Sequence, residues 1–400
     1  MPEPLTPECP AMIRSARPFP SLYGALTALS FHWSIVIYIN SSYLERFFTS
    51  SDISLLYIVG AIGTIILFLV APRILNRFGN YALMLFFIAC ECAALMGMAL
   101  SGSAPAAALW FTLHSIVVSL LFFHADVFME NLIGTDEAAT GARRGFLLTA
   151  MSFVSALATL ISGFLIGSGE PRFALAYGVS ALTLLPALIL IIRNFRNFKD
   201  PEYPALALMP TLATFWKHRD VRNVFCSAVL LQIFFVWLVI YTPLYMNEYM
   251  GLSWDIIGTM LFVGLLAYVF LEWPIGIAAD RWFGEKEMMA LGFLIIAVGT
   301  SWIAFLKPTD IAFWFVTMFL VRIGGSFVEA TTESYFFKHT EGKDATFVSL
   351  YRITRPLSYI IAPIIGSVAL LLLPFNLTFV VLALLMVPGL FFAMALNDTK

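Results

Sequence analysis

The chain is poor in charge. Only 12% of its 400 residues are Asp, Glu, Lys or Arg and 60% are hydrophobic, whereas soluble domains run near 25% and 45–50%. A water-soluble fold of this length could not bury that much apolar surface and is excluded. Cysteine is scarce too: Cys9, Cys90, Cys92 and Cys226 are scattered, which gives neither a disulfide framework nor a zinc spacing. No metal and no cofactor are therefore expected. The formal net charge of −2 gives no argument for a nucleic-acid partner, and none is expected; what matters is where each sign falls. Residues 1–20 hold six prolines and two arginines but no apolar core, so they read as a tail rather than a cleaved signal peptide.

What the chain does have is long apolar runs. A helix needs about 20 apolar residues to cross about 30 Å of hydrocarbon. Runs free of charge, broken where turn chemistry interrupts them at SGSAP (101–105) and LPFN (373–376), together with apolar stretches that a few charges interrupt, predict twelve spans. These are 21–44, 52–72, 80–100, 105–129, 146–168, 172–192, 223–247, 254–278, 288–306, 310–334, 347–371 and 375–396. The fold class is an all-α integral membrane protein in a lipid bilayer.

Lys and Arg accumulate on the cytoplasmic side of membrane proteins. Here 19 of the 23 lie in the termini and in the alternate loops 73–79, 130–145, 193–222, 279–287 and 335–355. The opposite loops hold only Arg46, Arg172 and Lys307, and Arg322 lies inside a span. That asymmetry predicts a multi-pass protein of the cell (inner) membrane with both termini cytoplasmic.

Shifting the sequence by 203 residues exposes a repeat. YINSSYLERFFTSSDI (38–53) overlays YTPLYMNEYMGLSWDI (241–256), matching Tyr38 with Tyr241, Glu45 with Glu248 and Asp52 with Asp255. Asp126 pairs with Glu329 and Glu130 with Glu333, and NRFG (76–79) recurs as DRWFG (280–284) with one extra residue. The expected organisation is a tail 1–20, a six-span bundle 21–192, a central loop 193–222, a second bundle 223–396 and a terminus 397–400. Six is even, so the halves relate by an axis along the membrane normal.

GIAADRWFGEK (276–286) resembles the signature of the major facilitator superfamily, a Gly-x-x-x-Asp-Arg-x-Gly-Arg/Lys-type motif between spans 2 and 3, often repeated between 8 and 9. Both copies fall at those loops, and the twelve spans and half-length repeat cover essentially the whole chain. The resemblance implies a secondary transporter, not an enzyme, that alternates access to a small-molecule site between its halves. It also implies a gating role for Gly276, Asp280, Arg281 and Gly284 and, in the first copy, for Asn76, Arg77 and Gly79. The first copy departs from the pattern, with Asn76 where the acid is expected. Arg281 is expected to meet Glu329 or Glu333, which lie i, i+4 on one helix face, and Arg77 to meet Asp126 or Glu130. Neutralising Asp280 should then shift the conformational balance more than changing Asn76.

Charge deep in a bilayer is costly and usually functional. Arg322 stands about 18 Å down a 30 Å core and heads a stripe with Glu329, so it is the leading substrate or coupling residue. LVRIGGSFVEA (320–330) is similar to the family's arginine motif, which the resemblance expects in span 4 and associates with proton coupling. Further candidates are His32 and His114, mid-span groups suited to a proton relay, the polar residues Asn40, Gln232, Glu272 and Arg352, and the aromatic pair Trp237 and Tyr241. Glu91 is out of place for this resemblance, in a peripheral span. The expected function is transport of a small organic solute, coupled to protons, by a monomer. An uncoupled facilitator is the main alternative; a receptor or scaffold would need added soluble domains, and a lipid-modifying enzyme a catalytic cluster at one interface.

Overall fold

The computed structural model describes residues 18–133, 137–203, 216–339, 351 and 353–397. Every regular element among them is helical. The first half comprises α1 (Pro18–Val36), α2 (Asn40–Glu45), α3 (Ser50–Phe78), α4 (Asn80–Leu100), α5 (Ala104–Ile133), α6 (Glu137–Ile166) and α7 (Phe173–Phe195). The second comprises α8 (Arg219–Leu244), α9 (Trp254–Ala278), α10 (Glu285–Ile303), α11 (Ile311–His339), α12 (Thr354–Leu372) and α13 (Thr378–Met394). Among the described residues, eleven helical stretches are long and apolar enough to cross a membrane. Helices dominate because a backbone in hydrocarbon must satisfy its own polar groups.

The expected first span, 21–44, is not one helix. It breaks over residues 37–39 and resumes as α2, so it is not among the eleven. No proline or glycine marks the break. Its physical correlate is tertiary: Tyr38, in the turn, hydrogen-bonds a side chain of the other half, described below. The expected 80–100 and 254–278 match α4 and α9. Part of the expected 347–371 span, the tail 1–17 and the loop segment 204–215 lie outside the described residues.

The two copies of the signature turn share one backbone conformation. Gly79 (φ 76°, ψ 154°) and Gly284 (φ 88°, ψ 153°) each end one helix and begin the next, in a region that is essentially glycine-only. The extra residue of the second copy is absorbed as a π-turn, Ala279–Phe283. Gly79 N–H bonds Leu75 O four residues back, while Gly284 N–H bonds Ala279 O five back. An insertion inside a helix characteristically appears as such a π-bulge.

Within the first half α1 packs on α7 and α4 on α5; within the second α10 packs on α11 and α13. Between the halves, α6 meets α9 and α3 meets α12. Small residues let two of these backbones touch: a Cβ built on Gly163 of α6 would lie 2.5 Å from Trp254 O and 2.8 Å from Gly258 Cα of α9. Close backbone approach at paired small residues is how helices gain packing in lipid. The described contacts between halves gather toward the face opposite the basic loops, where Ser54 Oγ lies 2.9 Å from Tyr241 Oη and the rings of Phe173 and Trp254 meet at 5.9 Å.

Candidate functional site

Arg322 is the twelfth residue of α11 and only 5% exposed. Its Nη2 donates to the Tyr38 hydroxyl at 2.8 Å, across the interface between the halves. Its guanidinium lies 5.7 Å from the Tyr38 ring and 6.0 Å from the Tyr268 ring, within the range of cation–π attraction. Glycine makes the room. A Cβ on Gly264 would stand 3.3 Å from Arg322 Cγ, and one on Gly325 would collide with the Tyr268 hydroxyl. Ser326, one turn on from Arg322, is fully buried, and its Oγ has no partner among the described residues. Glu329, a further turn along, lies within electrostatic reach of Glu272, Glu333, Arg355 and Arg322.

Two more contacts bridge the halves nearby. Tyr57 and Tyr359 stack at 5.9 Å and 19°, and the Arg355 guanidinium sits 4.4 Å from the Trp33 ring. The middle of the interface therefore carries two guanidinium groups among five aromatic rings, an arrangement able to hold a solute with oxygen acceptors and a flat face. Tyr38, Tyr57, Tyr268, Tyr359 and Arg355 were not singled out from sequence. Only Tyr38 carried a signal, through its match to Tyr241 in the repeat.

Other candidates fall elsewhere. His32, His114 and Asn40 are not grouped with Arg322; they surround Glu91 inside the first half. Tyr241 belongs to the closed face, bonded to Ser54 and to Pro363 O at 3.3 Å, with Trp237 buried against it at 5.0 Å. Gln232 is half-buried in α8. Arg352 and the side chains of Glu130, Asp280 and Arg281 lie outside the described residues, so the expected pairing of Arg281 with Glu329 or Glu333 does too.

On the basic face, each signature copy is tied to its own half by the residue after its glycine. In the first, Asn80 Nδ2 donates to His124 O at 3.0 Å and its Oδ1 lies 2.6 Å from His124 Nδ1. In the second, buried Glu285 receives Lys338 Nζ and, at 3.2 Å, Ser334 Oγ. The first copy also docks the central loop. Asp200 accepts from Asn80 N–H at 2.7 Å and from Tyr203 Oη at 2.8 Å, and Asn76 exchanges two hydrogen bonds with the Tyr203 main chain, at 3.0 and 3.3 Å. A carboxylate thus still caps the N-terminus of α4 although the signature's own acid is absent; it comes from the loop, where it suits the helix dipole. Burial and the Asp200 carboxylate push the Tyr203 hydroxyl above its ordinary range. Arg77 is exposed, its guanidinium 5.3 Å from the Phe78 ring.

At the opposite mouth, one residue past the expected first span, Glu45 is pushed up to about 7 by burial and then by Glu248. These are the two acids that the repeat pairs, one from each half.

A family model described as Major Facilitator Superfamily matches residues 224–400. No curated protein matches the sequence. Among solved structures, a mutant form of the nucleoside transporter NupG matches with a TM-score of 0.73 at 13% identity, covering 94% of this chain and 99% of that one. The second part of the chain is thus similar in sequence to the Major Facilitator Superfamily, and nearly the whole chain shares its fold with a solved transporter structure.

Proposed function

We propose that the protein is a proton-coupled secondary transporter of a small organic solute, working by alternating access in the cell membrane with its basic face and both termini in the cytoplasm. One observation carries this reading: a buried arginine in the middle of α11 grips the other half through Tyr38, so whatever competes for that guanidinium also acts on the contact between halves. The solute class that fits is a ring-bearing molecule with oxygen acceptors, nucleosides among them, since the solved structure similar in fold is titled a nucleoside transporter. Carboxylate- and phosphate-bearing solutes fit the same guanidinium pair.

The gating residues proposed on the basic face are Gly276, Asp280, Arg281, Gly284, Glu333, Asn76, Arg77, Gly79, Asp126 and Glu130. The binding and coupling residues proposed at the centre and beyond it are Arg322, Glu329, Glu272, Trp237, Tyr241, Gln232 and Arg352, with His32, His114 and Asn40 on the coupling side. The test is uptake by the purified protein in liposomes, with nucleosides and acidic metabolites as the panel and Arg322→Ala and Glu329→Gln as controls. Uptake that needs Arg322 and moves protons in weakly buffered vesicles is expected. Uptake without proton movement makes the protein an uncoupled facilitator, and inertness toward the whole panel at every pH overturns the transport reading.

A further inference from the structure

Three ionisable side chains meet inside the first half, away from Arg322. Glu91 of α4 is fully buried, as is His32 of α1, and His114 of α5 is 2% exposed. Their hydrogen-bond roles follow from their neighbours. Leu29 O can only accept, so His32 Nδ1, 2.5 Å away, carries a hydrogen. Tyr177 Oη donates to Asn40 Oδ1 at 2.8 Å, which leaves Asn40 Nδ2 to donate to His114 Nε2 at 3.3 Å. His114 is therefore a neutral imidazole protonated on Nδ1, and it donates to Glu91 Oε1 at 2.6 Å.

That assignment leaves one position undecided. His32 Nε2 faces Glu91 Oε1 at 3.4 Å, and neither His32 Nε2 nor Glu91 Oε2 has a hydrogen-bond partner among the described residues. With both groups deprotonated, a nitrogen lone pair would oppose a carboxylate whose negative charge no cation balances, in a site closed to water. Such an arrangement is strongly disfavoured. One more proton removes both conflicts, held either as imidazolium on His32 or as the acid on Glu91.

We propose that His32, Glu91 and His114 form a binding site for one exchangeable proton, shared between His32 Nε2 and Glu91. The proton is taken from water and returned to it, and no covalent bond other than its own is made or broken. The groups that face it are His32 from α1, His114 from α5, Asn40 from α2 and, through Asn40, Tyr177 from α7; Cys90 and Cys92 flank Glu91 on α4, and Arg46 acts electrostatically on Tyr177. Release of the proton must open the His32–Glu91 contact. His32 lies six residues before Tyr38 on the broken first crossing, so its movement reaches the hydroxyl that Arg322 holds. The use of this site in coupling rests on the transport reading above; its ability to hold a proton does not.

The test is solid-state NMR of the full-length protein in lipid nanodiscs, with nitrogen-labelled histidine, joined to infrared detection of protonated carboxyl groups across the pH range in which the protein stays folded. His32→Gln and His114→Gln assign the resonances, and no solute is needed. The expected result is a His114 that stays in its neutral Nδ1–H form and a single one-proton step shared by His32 and a carboxyl group, lost in Glu91→Gln. Independent titration of both histidines, unchanged by Glu91→Gln, overturns the proposal, as does the absence of any step in the wild type. If Glu91→Gln fails to fold, Glu91→Asp must displace the step, and an unmoved step again overturns it. Solute flux without protons, alongside an intact NMR step, removes the coupling role and leaves the proton site standing.

Discussion

Arg322 owes its value to shape as much as charge. A guanidinium has a planar fork that can hold the Tyr38 hydroxyl with one edge, lie beside the Tyr38 and Tyr268 rings and still present donors to a solute; a lysine ammonium keeps only the charge. Arg322→Lys should therefore lower kcat/KM by about tenfold to a hundredfold, the worth of one or two charge-assisted hydrogen bonds, with little change in melting temperature. Uptake equal to wild type would sink the binding role. Arginine and the acids on its helix are legible in sequence because a charge inside an apolar run has few ordinary explanations. Tyr38 and Tyr268 are not, because aromatic residues are 15% of the chain and most of them simply pack. Glu45 supports a pH prediction. In the closed mouth its pKa is pushed from 4.5 to about 7 by burial and Glu248, and opening the mouth to water returns it toward 4.5. A raised carboxylate pKa favours the closed state at low pH, and that advantage is lost as pH rises through about 7. Labelling of a Ser54→Cys variant, buried behind this mouth, should accelerate between about pH 5 and pH 8 once divided by the rate of a free thiol at the same pH, which rises by itself as thiolate forms. In Glu45→Gln the rise should vanish; an identical profile in both would show that Glu45 does not set it.

At the scale of elements, the signature turns show what a repeat can and cannot disclose. The sequence reveals both glycines and the one-residue insertion, but the π-turn that absorbs it and the loop carboxylate that replaces the missing acid depend on contacts 120 residues apart, such as Asn80 to Asp200. The break at 37–39 was hidden for the same reason, since nothing local demands it. Gly79→Ala would force a side chain into a glycine-only conformation, at a cost of about 1–3 kcal/mol, and would drive its Cβ to 2.7 Å from Asp200 Oδ2. Asp200→Ala should cost about 1 kcal/mol by removing the cap of α4. Both variants should release the docked stretch around Tyr203, measured as faster protease cutting of the central loop, whereas Gly178→Ala, where a Cβ meets nothing within 4 Å, should leave cutting unchanged. Unaltered cutting in Asp200→Ala would mean the loop is held by other contacts.

For the molecule as a whole, the question is which face is shut. Tyr241 with Ser54, Phe173 with Trp254, and the contact of Gly163 with Gly258 all close the interface toward the face opposite the basic loops. Alternating access requires these contacts to part. The glycine pair is the most sensitive point, because there it is backbone that meets backbone and no side chain can turn aside. Gly258→Leu places its Cβ where Gly163 Cα and Thr159 O already stand, at 2.7 and 2.8 Å, so α6 and α9 cannot meet without shifting. The bundles themselves keep their packing, since this residue lies between the halves rather than inside either. The substitution should thus penalise only the state closed on this face, and each 1.4 kcal/mol of penalty moves the balance tenfold. Labelling of Ser54→Cys should become faster in the Gly258→Leu background, transport should slow because the cycle can no longer complete its closure, and Gly178→Leu should match wild type in both. Slow labelling retained in Gly258→Leu, with normal transport, would show that the helices close elsewhere and that the glycine contact is packing rather than a gate.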